Sequence, residues 1–338
     1  MIYHQAFKPD MNSVDSKSPN LSAIGPGSGC PLCNSPGKFS YRGRDLLFDG
    51  TEMYQYKECR KCAAVYQDPM PTAGEIRGFY PEGYSVYRKT GHIKHHSSMK
   101  LAVLHYKYGY KHLRTPFVFL LTAPVVSVFR YRESISFVQD SSALDIGCGN
   151  GKFMRAMNSL GWQFEGVEFN PVAVDVCREA GLKVLHGDLQ AGAYEDDSFD
   201  LITARHVIEH IPDPKNFVRE IARILKKGGR VVIQTPNSKA LGRRWFGTNW
   251  YANDVPRHLV LFCPANLNML AERHGLRRIK VKTATTPKII LNSLDYLTGR
   301  RDNPSRKSRI RRLLARPYVM TATITGRGDE LFAIYEKS

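Results

Sequence analysis

From residue 141 onward, short apolar runs alternate with longer stretches that carry an apolar residue every three or four positions. Ala143-Leu144-Asp145-Ile146 reads as a buried strand, and the Phe153/Met154/Met157/Leu160 stripe behind it as a helix. The alternation continues with strands at 164–168, 184–188, 198–204 and 230–237, and helices at 171–180 and 217–227. Pro171 stands at a favoured helix start and Gly181 at a favoured helix end, and Gly228-Gly229 stops the next helix. A helix at 266–275, a strand at 277–283, a basic helical segment at 288–320 and a last strand at 329–335 follow. This predicts an α/β domain over 141–338. Ahead of it, 84–140 reads as a helical connector. Its most apolar part, PFVFLLTAPVVSVF at 116–129, is interrupted by Pro124 and is shorter than the about 20 residues that span a bilayer. It reads as a helix packed on the sheet or, flanked by Arg114, Arg130 and Arg132, as a segment dipping into a membrane surface.

The first strand runs into Gly147-Cys148-Gly149-Asn150-Gly151. Gly147 lets the chain leave the strand in a tight turn, and Gly149, without a Cβ, lets a ligand lie on the backbone. Strand, glycine loop and helix together form a nucleotide cradle. The spacing departs from the dinucleotide fingerprint, because the third glycine comes one residue early and Lys152 takes its place. Glu168, at the end of the second strand, suits two ribose hydroxyls.

Cys30-Pro-Leu-Cys33 and Cys59-Arg-Lys-Cys62 are two C-x-x-C hooks separated by 25 residues. Four thiolates in two knuckles close a tetrahedral Zn²⁺ site with no open position, hence a structural one. A zinc ribbon over 29–83 is therefore expected, with 1–28, rich in Ser, Pro, Gly and Asn, as a disordered lead-in. The start of the chain lacks the apolar core of an export signal, so a cytoplasmic protein without disulfides is expected.

With Asp145, Gly147, Gly149 and Gly151 spaced as D-x-G-x-G-x-G, the chain resembles the class I S-adenosylmethionine-dependent methyltransferases. The ordered run from His206 through Glu209-His210 and Asp213-Pro214 to Thr235-Pro236-Asn237 resembles most the ubiquinone-biosynthesis O-methyltransferase group. The resemblance spans 141–283. It implies a doubly wound, Rossmann-like seven-stranded sheet whose last strand enters antiparallel between the fifth and sixth. It also implies S-adenosylmethionine as cofactor, with Asp188 and Leu189 at the adenine edge. The cysteine hooks, Pro69-Met70-Pro71 and Phe79-Tyr80-Pro81 with Tyr84 resemble the N-terminal module of a bacterial methyltransferase group linked with polysaccharide genes.

His206, Glu209 and His210 read as the catalytic cluster, with the two histidines on one face of a helix start. Two chemistries stay open there. A histidine takes the acceptor hydroxyl's proton as general base. Alternatively Glu209, His210 and the distant His258 hold a divalent ion that acidifies the hydroxyl. The small-RNA 2′-O-methyltransferases resemble the chain here, but His206 replaces their first glutamate, which shifts the preference toward a softer metal. Trp245, Trp250 and Tyr251 read either as stacking partners for the acceptor or as core. The five histidines at 92, 95, 96, 105 and 112 lack ligand spacing and read as a solvated face.

Net charge of +18 favours an anionic partner. Eight Arg/Lys against one acid, Asp302, fall between 300 and 316 and mark a docking surface. The expected acceptor is a small molecule or glycan, nucleotide- or lipid-linked, methylated on oxygen. Sugar C-methylation, RNA methylation and a non-catalytic adaptor are the alternatives. Against RNA, the basic run has no interleaved aromatics. A lipid-linked acceptor would bring the protein to the inner face of an anionic membrane.

Overall fold

The computed structural model describes residues 29–80, 96–129, 134–299 and 309–338. The expected disordered start, Pro81 and Tyr84 of the aromatic motif, His92, His95, Arg130, Arg132 and the basic residues at 300–308 lie outside the described residues.

The chain opens with three antiparallel strands, β1 (Gly37–Gly43), β2 (Tyr54–Cys59) and β3 (Val65–Gln67). The short helix α1 (Ala73–Gly78) follows, started by a Thr72/Glu75 capping box. Then come α2 (Ser98–Lys107) and α3 (Phe117–Phe129). The α/β part runs β4 (Ser142–Ile146), α4 (Lys152–Asn158), β5 (Gln163–Glu168), α5 (Pro171–Glu179), β6 (Val184–His186), β7 (Phe199–Arg205), α6 (Pro214–Ile224) and β8 (Leu225–Pro236). It finishes with α7 (Leu241–Phe246), β9 (Val260–Leu261), α8 (Pro264–Glu272), β10 (Leu276–Ala284), α9 (Pro287–Thr298), α10 (Arg309–Leu314), α11 (Arg316–Ile324) and β11 (Glu330–Lys337).

Seven strands form the main sheet in the order β10-β11-β8-β7-β4-β5-β6. β11 runs antiparallel between β8 and β10, as the resemblance implies. Both faces are covered. On β4, Leu144 and Ile146 enter one core and Ala143 the other, and on β7 Ile202 and Leu201 divide in the same way. That explains near-continuous apolar strands without clean alternation. The strand order reverses between β4 and β7, and the crevice at their carboxyl ends is where doubly wound sheets bind ligands.

Several expectations are corrected. The helix expected through Lys227 stops at Ile224, and both glycines lie in β8. His206 and His210 do not share a helix face. The chain leaves β7 through His206 at φ +56°, makes one 3₁₀ turn over Ile208–His210, and begins α6 only at Pro214. The 116–129 helix is only half buried: Ala123 joins the core over Ala143, Leu201 and Val232, with Phe119, Leu120 and Val126 packed against it, while Phe117, Val118, Leu121 and Val125 are exposed.

The N-terminal ribbon is not a separate body. β3 pairs with β9 from the far end of the chain, Val65 opposite Leu261 and Tyr66 opposite Val260. Cys30, Leu32, Cys59 and Tyr66 share one apolar core with Leu144, Val231, Leu267 and Leu270. Asn266 Nδ2 donates to the Cys62 carbonyl at 3.1 Å, and Arg273 to that of Leu32 at 3.2 Å.

Candidate active site

The glycine loop is built by close packing. Gly147, Gly149 and Gly151 all have positive φ. A Cβ on Gly147 would meet Val207 Cγ2 at 2.6 Å, and one on Gly151 would collide with Leu182 and Cys177. Gly151 thus lets α4 and α5 approach each other. Glu168 closes the loop from below: it accepts from Gly149 N–H at 2.8 Å and Asn170 N–H at 3.0 Å. Burial raises its pKa against the pull of these backbone donors. Asp145 lies deeper. It accepts from Thr203 Oγ1 at 2.5 Å, bracing β4 to β7, and burial pushes it up to about 6 although that hydrogen bond works the other way. Asp188 is exposed and accepts from Ala191 N–H at 2.9 Å, next to buried Leu189.

Across the reversal of strand order lies the second cluster. Glu209 is fully buried. Its Oε2 accepts from Thr235 Oγ1 at 2.9 Å, whereas Oε1 has no hydrogen-bond partner. His206 Nδ1 lies 3.3 Å from that oxygen. His258 Nε2 is 3.9 Å away from it, and the His210 and His258 rings are 4.8 Å apart. Burial alone would raise Glu209, but the hydrogen-bonding reach of His206 and the charges of His210, His206 and His258 bring it down to about 2. The surrounding imidazoles thus favour its ionised form.

The histidines divide by environment. His258 is buried, its Nδ1 lies 2.9 Å from the Ala252 carbonyl, and burial with the nearby His210 lowers it to about 4. His210 Nδ1 lies 2.8 Å from the Arg257 carbonyl and 2.9 Å from the Tyr80 hydroxyl. With Nδ1 turned to a backbone carbonyl, Nε2 is the ring nitrogen left to face a substrate proton or a metal ion. His206 differs. Desolvation works to lower its pKa, and the carboxylates of Glu209 and Glu330 outweigh it, so the ring is biased toward its charged form.

Among the described residues, two groups of ligating side chains gather with donor atoms within 4.8 Å of one another. One is Glu209, His210 and His258. A buried carboxylate oxygen that makes no hydrogen bond, with His206 on one side and two imidazoles tied back by carbonyls on the other, fits a divalent ion. The other is Cys30, Cys33, Cys59 and Cys62. The Cys30–Cys62 and Cys33–Cys59 sulfurs lie 3.5 and 3.4 Å apart, close to the about 3.8 Å that Zn–S bonds of about 2.3 Å give in a tetrahedron.

Of the two readings open for the aromatic residues, Trp250 takes the core one. Trp250 is 1% exposed and donates its indole N–H to Asp329 at 2.8 Å, which makes it core. Trp245 is exposed beside Tyr318, and Tyr251 packs on Tyr296 of α9. Sequence reasoning missed Arg257. It is 1% exposed and pairs with Asp45 at 2.6 Å and Asp254 at 2.7 Å. Its only sequence signal is a charge set in a loop between Pro256 and His258. Beside it opens a cavity of about 340 Å³, lined by Asp45, Phe48, Glu52, Tyr54, Phe79 and Pro256. Phe79 and Pro256 adjoin Tyr80 and Arg257, both of which touch His210.

A crevice at the reversal of a doubly wound sheet, a three-glycine loop and a carboxylate ending the next strand define a nucleoside-binding α/β protein of the methyltransferase type. Comparison with known proteins agrees. A family model described as a methyltransferase domain matches residues 127–281. A ubiquinone biosynthesis O-methyltransferase of Ralstonia nicotianae is 33% identical over 183 residues, covering 50% of this chain and 73% of that protein. Its namesake from Aeromonas salmonicida is 31% identical over 146 residues, covering 39% and 61%. A solved S-adenosylmethionine-dependent methyltransferase from Archaeoglobus fulgidus is 21% identical, covers 66% of this chain and all of its own, and has a TM-score of 0.45. The chain therefore belongs to the S-adenosylmethionine-dependent methyltransferase family, on the side of the ubiquinone biosynthesis O-methyltransferases. It spans 61% of the length of the Aeromonas protein and 52% of that of a further namesake, from Xanthomonas oryzae pv. oryzae.

Proposed function

We propose that the chain transfers the methyl group of S-adenosylmethionine to a hydroxyl oxygen of a small molecule or glycan, nucleotide- or lipid-linked. Methyl transfer from a sulfonium is an in-line displacement, so the protein's task is to align donor carbon and acceptor oxygen and to exclude water. The glycine loop and Glu168 would hold the nucleoside, and the cavity under the ribbon loop would hold the acceptor. Its three aromatic side chains and two carboxylates suit a ring bearing hydroxyls.

The observation that carries this reading is Glu209, a buried carboxylate whose Oε1 has no hydrogen-bond partner beside His210 and His258. Those three residues would hold a divalent ion, which when bound supplies a lowered pKa at the acceptor hydroxyl. Thr235 and His206 orient Glu209 and keep it ionised. His210, tied at Nδ1, offers Nε2 to the acceptor proton where no ion is held. The four cysteines would hold a structural Zn²⁺.

The test is to incubate the protein and radiolabelled methyl donor with fractionated cell extract. Label is expected in the small-molecule or glycan fraction as alkali-stable methyl ether. Label in RNA, or on carbon, would overturn the acceptor assignment.

A further inference from the structure

The α9–α11 layer presents a surface that the site does not use. α10 and α11 expose Ile310, Leu313, Leu314, Met320 and Ile324, at 70, 56, 74, 64 and 78%. Exposed Arg312, Arg316 and Arg327 lie among them. The inner side is anchored: Tyr318 donates to Asp329 at 2.6 Å, Ala315 and Ala322 are buried, and Arg311 is fastened to Asp295 at 2.7 Å. The aliphatic side chains are therefore turned outward on helices whose other face is already satisfied. Between Asp302 and Asp329 the sequence has seven basic residues and no acid.

We infer that this face docks on an anionic lipid bilayer, with α10 and α11 lying in the interface. Aliphatic residues sink into the acyl boundary while arginines reach phosphate, the arrangement of an in-plane helix. No helix among the described residues is long and apolar enough to cross a membrane, so contact is from one side. RNA fits this surface less well, because stacking on bases needs aromatic faces and the exposed large residues of α10 and α11 themselves are aliphatic. A second copy fits less well too, since a two-fold contact would press two copies of the same arginine-bearing patch together. The inference stands apart from the acceptor's identity.

The test is co-sedimentation of the full chain with vesicles of phosphatidylcholine alone and of phosphatidylcholine with phosphatidylglycerol. Binding is expected only to the second and is expected to fall with salt. Arg312→Ser with Arg316→Ser should weaken it about 30-fold. Leu313→Ser with Leu314→Ser should weaken it at least about tenfold. Both variants should keep wild-type S-adenosylmethionine affinity, which separates surface effects from misfolding. The inference is overturned if wild type stays in solution with anionic vesicles, or if both folded variants bind as wild type does. It is also overturned if the leucine pair instead dissolves a dimer or abolishes binding to RNA.

Discussion

Glu209 is the residue whose environment is hardest to explain without a partner. Exchanging it for glutamine keeps its shape and its Thr235 contact but removes the charge facing His210 and His258. Glu209→Gln is expected to lower methyl transfer by at least about tenfold and to leave S-adenosylmethionine binding by calorimetry unchanged. Loss of both would mark Glu209 as structural. Asp145 carries a different prediction. Its folded pKa of about 6 stands above the ordinary carboxylate value. The folded chain therefore keeps a proton that the unfolded chain gives up earlier as pH rises. The stability this supplies is whole in acid and is lost as pH climbs through about 6. Denaturant midpoints of wild type and Asp145→Asn should differ in slope between about pH 4 and about pH 7, with the variant flatter. Equal slopes would remove burial as the dominant influence on this group. Asp145, Glu168 and the glycines were legible because their spacing is local. Thr203, Thr235 and Arg257 were not, since what matters about them is which distant group they meet.

Among the elements, the segment from Pro256 to Leu261 does the most. Leu259 N–H donates to the Glu209 carbonyl at 2.7 Å, and Gln67 N–H to that of Leu259 at 2.9 Å. Buried Tyr56 donates to the His258 carbonyl at 3.0 Å. Ribbon strands thus hold both the turn that carries Glu209 and the loop that carries His258. Removing the Tyr56 hydroxyl should show it: Tyr56→Phe is expected to cost about 1 kcal/mol of stability and to lower kcat while KM for the methyl donor stays put. An unchanged kcat would uncouple the ribbon from the cluster. β9 itself could not be read from sequence, since two residues have no periodicity. The 3₁₀ turn was missed for a related reason: His206, Glu209 and His210 have helical spacing, but the left-handed backbone at His206 sends the chain elsewhere. Trp250 was ambiguous because an aromatic residue between polar neighbours looks alike in a pocket wall and in a core.

Over the whole molecule, one core extends from the cysteine knuckles to the centre of the main sheet. If Cys30, Cys33, Cys59 and Cys62 hold the proposed Zn²⁺, a strong chelator is therefore expected to do more than loosen the N-terminus. The melting temperature of the entire chain should drop and methyl transfer should fall, with zinc content by mass spectrometry tracking both. Thiolates left facing each other at 3.4 and 3.5 Å would repel. A melting curve indifferent to zinc would refute a structural ion. The α/β architecture could be read from pattern and resemblance alone. The welding of the ribbon to it could not, because it rests on contacts about 200 residues apart in the chain, such as Tyr56 with His258.

That welding bears on ancestry. A module that completes its sheet with a strand borrowed from its host cannot be traded as a cassette. Descendants that shed the cysteine hooks must also remake the Val260–Leu261 edge, and a transplanted ribbon needs a host that already offers one.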